Sequence, residues 1–104
     1  MQIDTEAEVE LNELSYEKPV IVMVGQRGCP PCEATLPAFA NLITKYKTKY
    51  LGFVEVTENE DFIDISGVGE VPAFIKLLDG EEVERIVGRK TEQELIEFIG
   101  EDNG

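Results

Sequence analysis

Pro19-Val20-Ile21-Val22-Met23-Val24 is an uninterrupted apolar stretch, mostly β-branched, closed by Pro19 on one side and Gly25 on the other. A strand with one wet face alternates apolar and polar residues. A run without alternation reads as a strand covered on both faces, the usual state of a central strand in an α/β sheet. Helices must then lie above and below it. The rest of the chain supplies them.

Thr5 to Leu14 reads as a short acidic helix with Val9, Leu11 and Leu14 as its apolar side. Pro31 to about Lys47 carries Leu36, Phe39, Leu42, Ile43 and Tyr46 at helical spacing, with Pro37 inside it and a kink expected there. Leu51 to Thr57 is a second strand, and Glu60 to Ile65 a helical turn or short helix. A glycine-rich loop, Ser66 to Glu70, leads to Val71-Pro72. Ala73 to Leu78 and Glu82 to Val87 are strands joined at Asp79-Gly80, a dipeptide that favours a tight hairpin. Thr91 with Glu94 three residues on forms a capping-box signature for a last helix whose buried stripe is Leu95, Ile96 and Ile99. The expected fold is α/β, a central mixed sheet of four to five strands flanked by helices on both faces.

At 104 residues the chain is one domain, residues 1–104, with room for a single core. No apolar run approaches the roughly 20 residues a spanning helix needs, and Met1 to Glu17 is acidic where a secretory signal would be basic and then apolar. An unprocessed cytoplasmic protein is the expectation. The net charge of −13 is not broken by any lysine or arginine cluster. Nucleic acid and anionic membrane are therefore poor partners, since both need a basic footprint.

The chemistry concentrates in Gly28-Cys29-Pro30-Pro31-Cys32, between the central strand and the long helix. Residues three apart at a helix start share a face, with Cα atoms about 5 Å apart, inside the roughly 4.4–6.8 Å a disulfide needs. Cys29 would sit just outside the helix, where unpaired N–H groups and the macrodipole favour an anion. The dipole offers about 0.3–1 kcal/mol at exposed sites, against about 1.36 kcal/mol for one pKa unit, so direct hydrogen bonds must supply the rest. Pro30 and Pro31 have no N–H, which makes Cys32 the first following residue able to donate to the Cys29 sulfur. Arg27 is the candidate cationic stabiliser of the thiolate. Cys32, one turn deeper, suits attack on a mixed disulfide. With two cysteines and no histidine the chain cannot close a zinc site alone, and no cofactor is implied.

These residues, in this order, resemble the thioredoxin family, from about Pro19 to the last helix. The matching features are the dithiol, Pro37 five residues after the second cysteine, Val71-Pro72 in the place of the family's cis-proline, and the glycines Gly80 and Gly88. The resemblance implies a thiol–disulfide oxidoreductase, with protein disulfides as substrates, a thioredoxin reductase-like electron donor and a monomeric state. It implies a cis Val71–Pro72 bond facing the dithiol, with the Val71 backbone available to an extended substrate segment. Gly67, Gly69 and Gly88 would keep side chains off that surface.

The chain also departs from the family. Gly28 stands where a tryptophan is usual and Pro30 where a glycine is, and there is no tryptophan anywhere. The family's buried aspartate and its lysine partner are replaced by Met23 and Phe53, so Cys32 is expected to resolve mixed disulfides slowly. Glu33 and Glu55 are the candidate substitute acids, both read as solvated surface charges. Two alternatives stand beside the reductase. One is a glutaredoxin-like enzyme, disfavoured by the scarcity of basic surface for glutathione. The other is a thioredoxin-like binding module whose dithiol is incidental.

Overall fold

The computed structural model describes residues 8–26, 28–55 and 71–100, with side chains from residue 10. In chain order the elements are α1 (Glu8–Leu14), β1 (Val20–Gly25), α2 (Pro30–Ile43), β2 (Tyr50–Glu55), β3 (Ala73–Leu78), β4 (Glu81–Val87) and α3 (Glu92–Ile99). The short helix expected over residues 60–65 and the loop at 66–70 lie outside the described residues.

Among the described residues the sheet has four strands in the order β2-β1-β3-β4. The connection through α2 makes β1 and β2 parallel, while β3 runs antiparallel to both β1 and β4. Every residue of β1 is buried, as its unbroken apolar run requires. Alternate side chains feed two clusters. Val20, Val22 and Val24 join Val54, Ile75 and Leu11 of α1 on one face. Ile21 and Met23 join Phe39 and Leu42 of α2, Phe74, and Leu95, Phe98 and Ile99 of α3 on the other. Phe39 and Phe74 meet with ring centroids 5.8 Å apart, tilted at 49°, a favoured aromatic geometry. Fully burying side chains of this size stabilises by about 1.5–3 kcal/mol each. The second cluster holds α2 from Leu36 to Ile43, and in the first turn Cys32 alone is buried while Pro30, Pro31 and Glu33 are exposed.

The helix begins at Pro30 and ends at Ile43, four residues short of the Lys47 expected from the apolar spacing. Thr44 caps it, and the Lys45 N–H turns back to the Leu42 carbonyl at 3.0 Å, a tightened last turn. Tyr46 still packs against the core, and its hydroxyl donates to the Gly100 carbonyl at 2.7 Å. Its apolar period reported burial rather than helix. The helix continues through Pro37. The hairpin turns at Asp79-Gly80 as expected, with β4 starting at Glu81. Among the described residues β4 lies at the edge of the sheet, and its Glu81, Glu82 and Glu84 are exposed, charges that discourage pairing with another chain.

Candidate active site

Strand register gathers the site. Gly25 pairs with Glu55, Val24 with Ala73, and Ala73 with Val87. The carboxyl ends of β1, β2 and β4 and the start of β3 thus share one end of the sheet. Cys29 follows β1 there, Val71-Pro72 precedes β3, and Gly88 follows β4. This is where open α/β sheets place their ligand sites.

Cys29 is the N-cap of α2, in extended conformation (φ −94°, ψ 109°), with prolines at the first two helical positions. Its sulfur accepts the Cys32 N–H at 3.3 Å, the one donor that the two prolines leave in the first turn. Cys29 and Cys32 form a disulfide, with Cα atoms 5.2 Å apart, close to the spacing expected from helix geometry. Cys32, Thr35, Phe39 and Leu42 form the buried stripe of α2. Cys32 is therefore 4% exposed, whereas Cys29, off the end of the stripe, is half-buried. Gly28, Pro30 and Pro31 are exposed around it.

Val71–Pro72 is a cis peptide; Pro72 is buried and Val71 half-buried. The Gly88 N–H donates to the Pro72 carbonyl at 2.7 Å. A Cβ on Gly88 would point into open space, so a side chain there would intrude on solvent beside Pro72, and its φ of 99° favours glycine in any case. Arg27, Gly67 and Gly69 lie outside the described residues.

Beneath the dithiol, Met23 and Phe53 are lateral neighbours on adjacent strands, both in the cluster on the α2 face. The Phe53 ring lies against Gly25, where a Cβ would come within 3.0 Å of it and within 3.7 Å of the Cys32 Cβ. A side chain at position 25 would press the ring aside by a few tenths of an ångström. The place expected to hold an ion pair in the family is thus filled by apolar side chains. Glu33 is exposed, as expected. Glu55 is not: it is 9% exposed, on the α2 face beside Gly25 at the end of β2. It is buried at the strand end and is not the solvated surface charge expected, a difference that a strand pattern ending in polar residues does not reveal. Thr35, passed over in the sequence, is fully buried with its hydroxyl bonded. The signal was present in its position on the stripe with Cys32 and Phe39.

A buried and an accessible sulfur joined across the first turn of a helix define a thiol–disulfide exchange site on a mixed α/β sheet. The thioredoxin family model matches residues 3–101. Thioredoxin C-2 of Corynebacterium nephridii is 30% identical over 99 residues, covering 94% of this chain and 92% of that protein. The Fasciola hepatica thioredoxin structure superposes with a TM-score of 0.83 at 25% identity, covering 95% of this chain and 96% of the other. A mutant thioredoxin from Halobacterium salinarum superposes with a TM-score of 0.81 at 26% identity, over 93% and 86% of the two chains. The chain belongs to the thioredoxin family. Its members are thiol–disulfide oxidoreductases acting on protein disulfides, and that is this chain's activity.

Proposed function

We propose that Cys29 is the nucleophile and Cys32 the resolving thiol of a cytoplasmic, monomeric, single-domain protein-disulfide reductase. The Cys29 thiolate attacks one sulfur of a substrate disulfide; the other substrate sulfur leaves as a thiolate and takes a proton. Cys32 then gives up its proton and attacks the Cys29 sulfur, releasing the second substrate thiol. The chain is left oxidised at Cys29–Cys32, and a thioredoxin reductase-like donor returns two electrons and two protons. Gly28, Pro30, Pro31, Val71, Pro72 and Gly88 border the approach to Cys29, and Arg27 supports its thiolate. The observation that carries this reading is the asymmetry of the pair: a half-buried sulfur at the helix entrance and a buried one behind it.

Insulin-disulfide reduction with thioredoxin reductase or glutathione as alternative donors tests it. Turnover with the reductase and Cys32→Ser trapped as a mixed disulfide through Cys29 are the expected results. Turnover with glutathione alone would favour the glutaredoxin-like alternative, and function surviving loss of both thiols would favour a binding module.

The apolar floor of Met23 and Phe53 offers Cys32 no charged pair, and resolution is expected to be slower than in a thioredoxin that has one. Stopped-flow measurement of mixed-disulfide decay reads this directly. Fast resolution that collapses in Glu55→Gln would transfer the proton-accepting role to that buried carboxylate.

A further inference from the structure

Thr35 joins two parts of the site that no element of secondary structure connects. Its hydroxyl donates to the Pro31 carbonyl at 2.9 Å and accepts the Lys90 N–H at 3.4 Å. A threonine inside a helix often turns its hydroxyl back to the carbonyl four residues earlier, so the first bond alone would be unremarkable. The second spans 55 residues of sequence to the segment leaving β4. Two residues before Lys90, the Gly88 N–H holds the Pro72 carbonyl. The result is a strap: Pro72 to Gly88, along the backbone to Lys90, through the Thr35 hydroxyl, and back to Pro31 between the two cysteines. A hydroxyl, with one donor and two acceptor sites, can serve both bonds at once. A valine of the same shape can serve neither.

We infer that Thr35 is a positioning residue that fixes the distance between the dithiol turn and the Pro72–Gly88 wall, and so selects for extended protein substrates over small disulfides. The inference rests on the reading above that this wall receives the substrate chain. An extended segment must touch Cys29 and the wall together, whereas a small disulfide needs only the exposed side of Cys29. At 3.4 Å the Lys90 bond is long for an N–H···O contact, so its loss should cost a few-fold in binding rather than orders of magnitude.

The test compares wild type, Thr35→Val and Thr35→Ser with two substrates, insulin and a small aromatic disulfide. In Thr35→Val, KM for insulin is expected to rise roughly fivefold, the factor of about one neutral hydrogen bond. The insulin kcat and the rate constant with the small disulfide stay at wild-type values, and Thr35→Ser restores the insulin KM. An unchanged insulin KM, an equal loss with both substrates, or a serine variant that fails to rescue would overturn the inference. Amide hydrogen exchange in the wild type tests the strap without any variant. The Lys90 N–H is expected to be protected, and exchange at the rate of a free amide would overturn it. A wild type that reduces the small disulfide but no protein disulfide would instead sink the underlying reading of the wall.

Discussion

Two of the described helices begin with a side chain that caps position three, and they do opposite things with it. At α3, the Thr91 hydroxyl accepts the Glu94 N–H at 3.1 Å while the Glu94 carboxylate accepts the Thr91 N–H at 2.9 Å. Two orphan donors are satisfied reciprocally, in a complete capping box. At α2, the Cys29 sulfur accepts the Cys32 N–H in the same N-cap-to-third-position geometry. Here both partners are cysteines, and the juxtaposition that lets Thr91 and Glu94 exchange hydrogen bonds lets Cys29 and Cys32 exchange a covalent bond. The first arrangement spends the helix entrance on stability. The second gives up a strong cap, since sulfur is a weak acceptor, and gains a thiol that chemistry can reach.

Turning the α2 cap into one like α3's should produce the largest effect. Cys29→Ser supplies an oxygen acceptor where the sulfur sits. Insulin reduction is expected to fall to background, because no nucleophile remains outside the helix. Stability against the reduced wild type should move the other way, up by about 0.5–1 kcal/mol, because serine is among the preferred N-caps. Urea unfolding of both proteins in excess reductant reads the second part. A serine variant less stable than reduced wild type would show that the two caps are not equivalent.

A smaller effect should follow from restoring a donor. The N-cap side chain can accept from the second or third helical N–H, and Pro31 removes the second. Pro31→Ala returns it to the Cys29 sulfur. A hydrogen bond to a charged group contributes about 1.5–3 kcal/mol, so the alkylation–pH profile of Cys29 should move down by on the order of one unit. Nucleophilicity falls as the thiol becomes more acidic, with a Brønsted slope of about 0.4–0.5. The gain in thiolate near neutral pH, at most about tenfold, then becomes at most about a threefold gain in alkylation rate. No shift of the profile would mean that the new N–H points away from the sulfur.

The same contrast separates what the sequence disclosed from what it hid. Both caps were readable, because each depends on residue types three positions apart. β1 was readable because an unbroken apolar run has no stable partly exposed form, and the β3–β4 hairpin because Asp79-Gly80 marks its turn. The end of α2 was not, since Tyr46 keeps an apolar period after the backbone has left the helix. Glu55 and Thr35 were misjudged or missed for a related reason. Polarity in the sequence says what a side chain prefers. Burial depends on what the fold brings beside it: Thr35 meets the Lys90 backbone 55 residues away in sequence, and Glu55 ends a strand paired with Gly25 of β1.

The smallest expected effect concerns the α3 cap and carries a pH signature that the oxidised α2 cap lacks. Glu94 is held below its ordinary carboxylate value, first by the Thr91 backbone N–H and then by the Thr91 hydroxyl. A carboxyl depressed in the folded state contributes stability that is fully present above its unfolded value near 4.5, and loses it as the pH falls through the lower folded one. Glu94→Gln keeps an oxygen acceptor but does not titrate. Wild type should therefore melt above the Gln variant at pH 7, and the gap should narrow as the pH falls below 4.5 and close once it is below the lower folded value. Thr91→Ala should lower stability by about 1 kcal/mol and remove only the smaller, hydroxyl part of that pH dependence, since the backbone N–H that contributes most is kept. The Cys29–Cys32 disulfide has no proton to lose, so measuring all three proteins in the oxidised state keeps the dithiol silent across the range. A gap between wild type and Glu94→Gln that stays constant with pH would mean the α3 box is held by shape alone. Its likeness to a thiolate-bearing cap would then end at geometry.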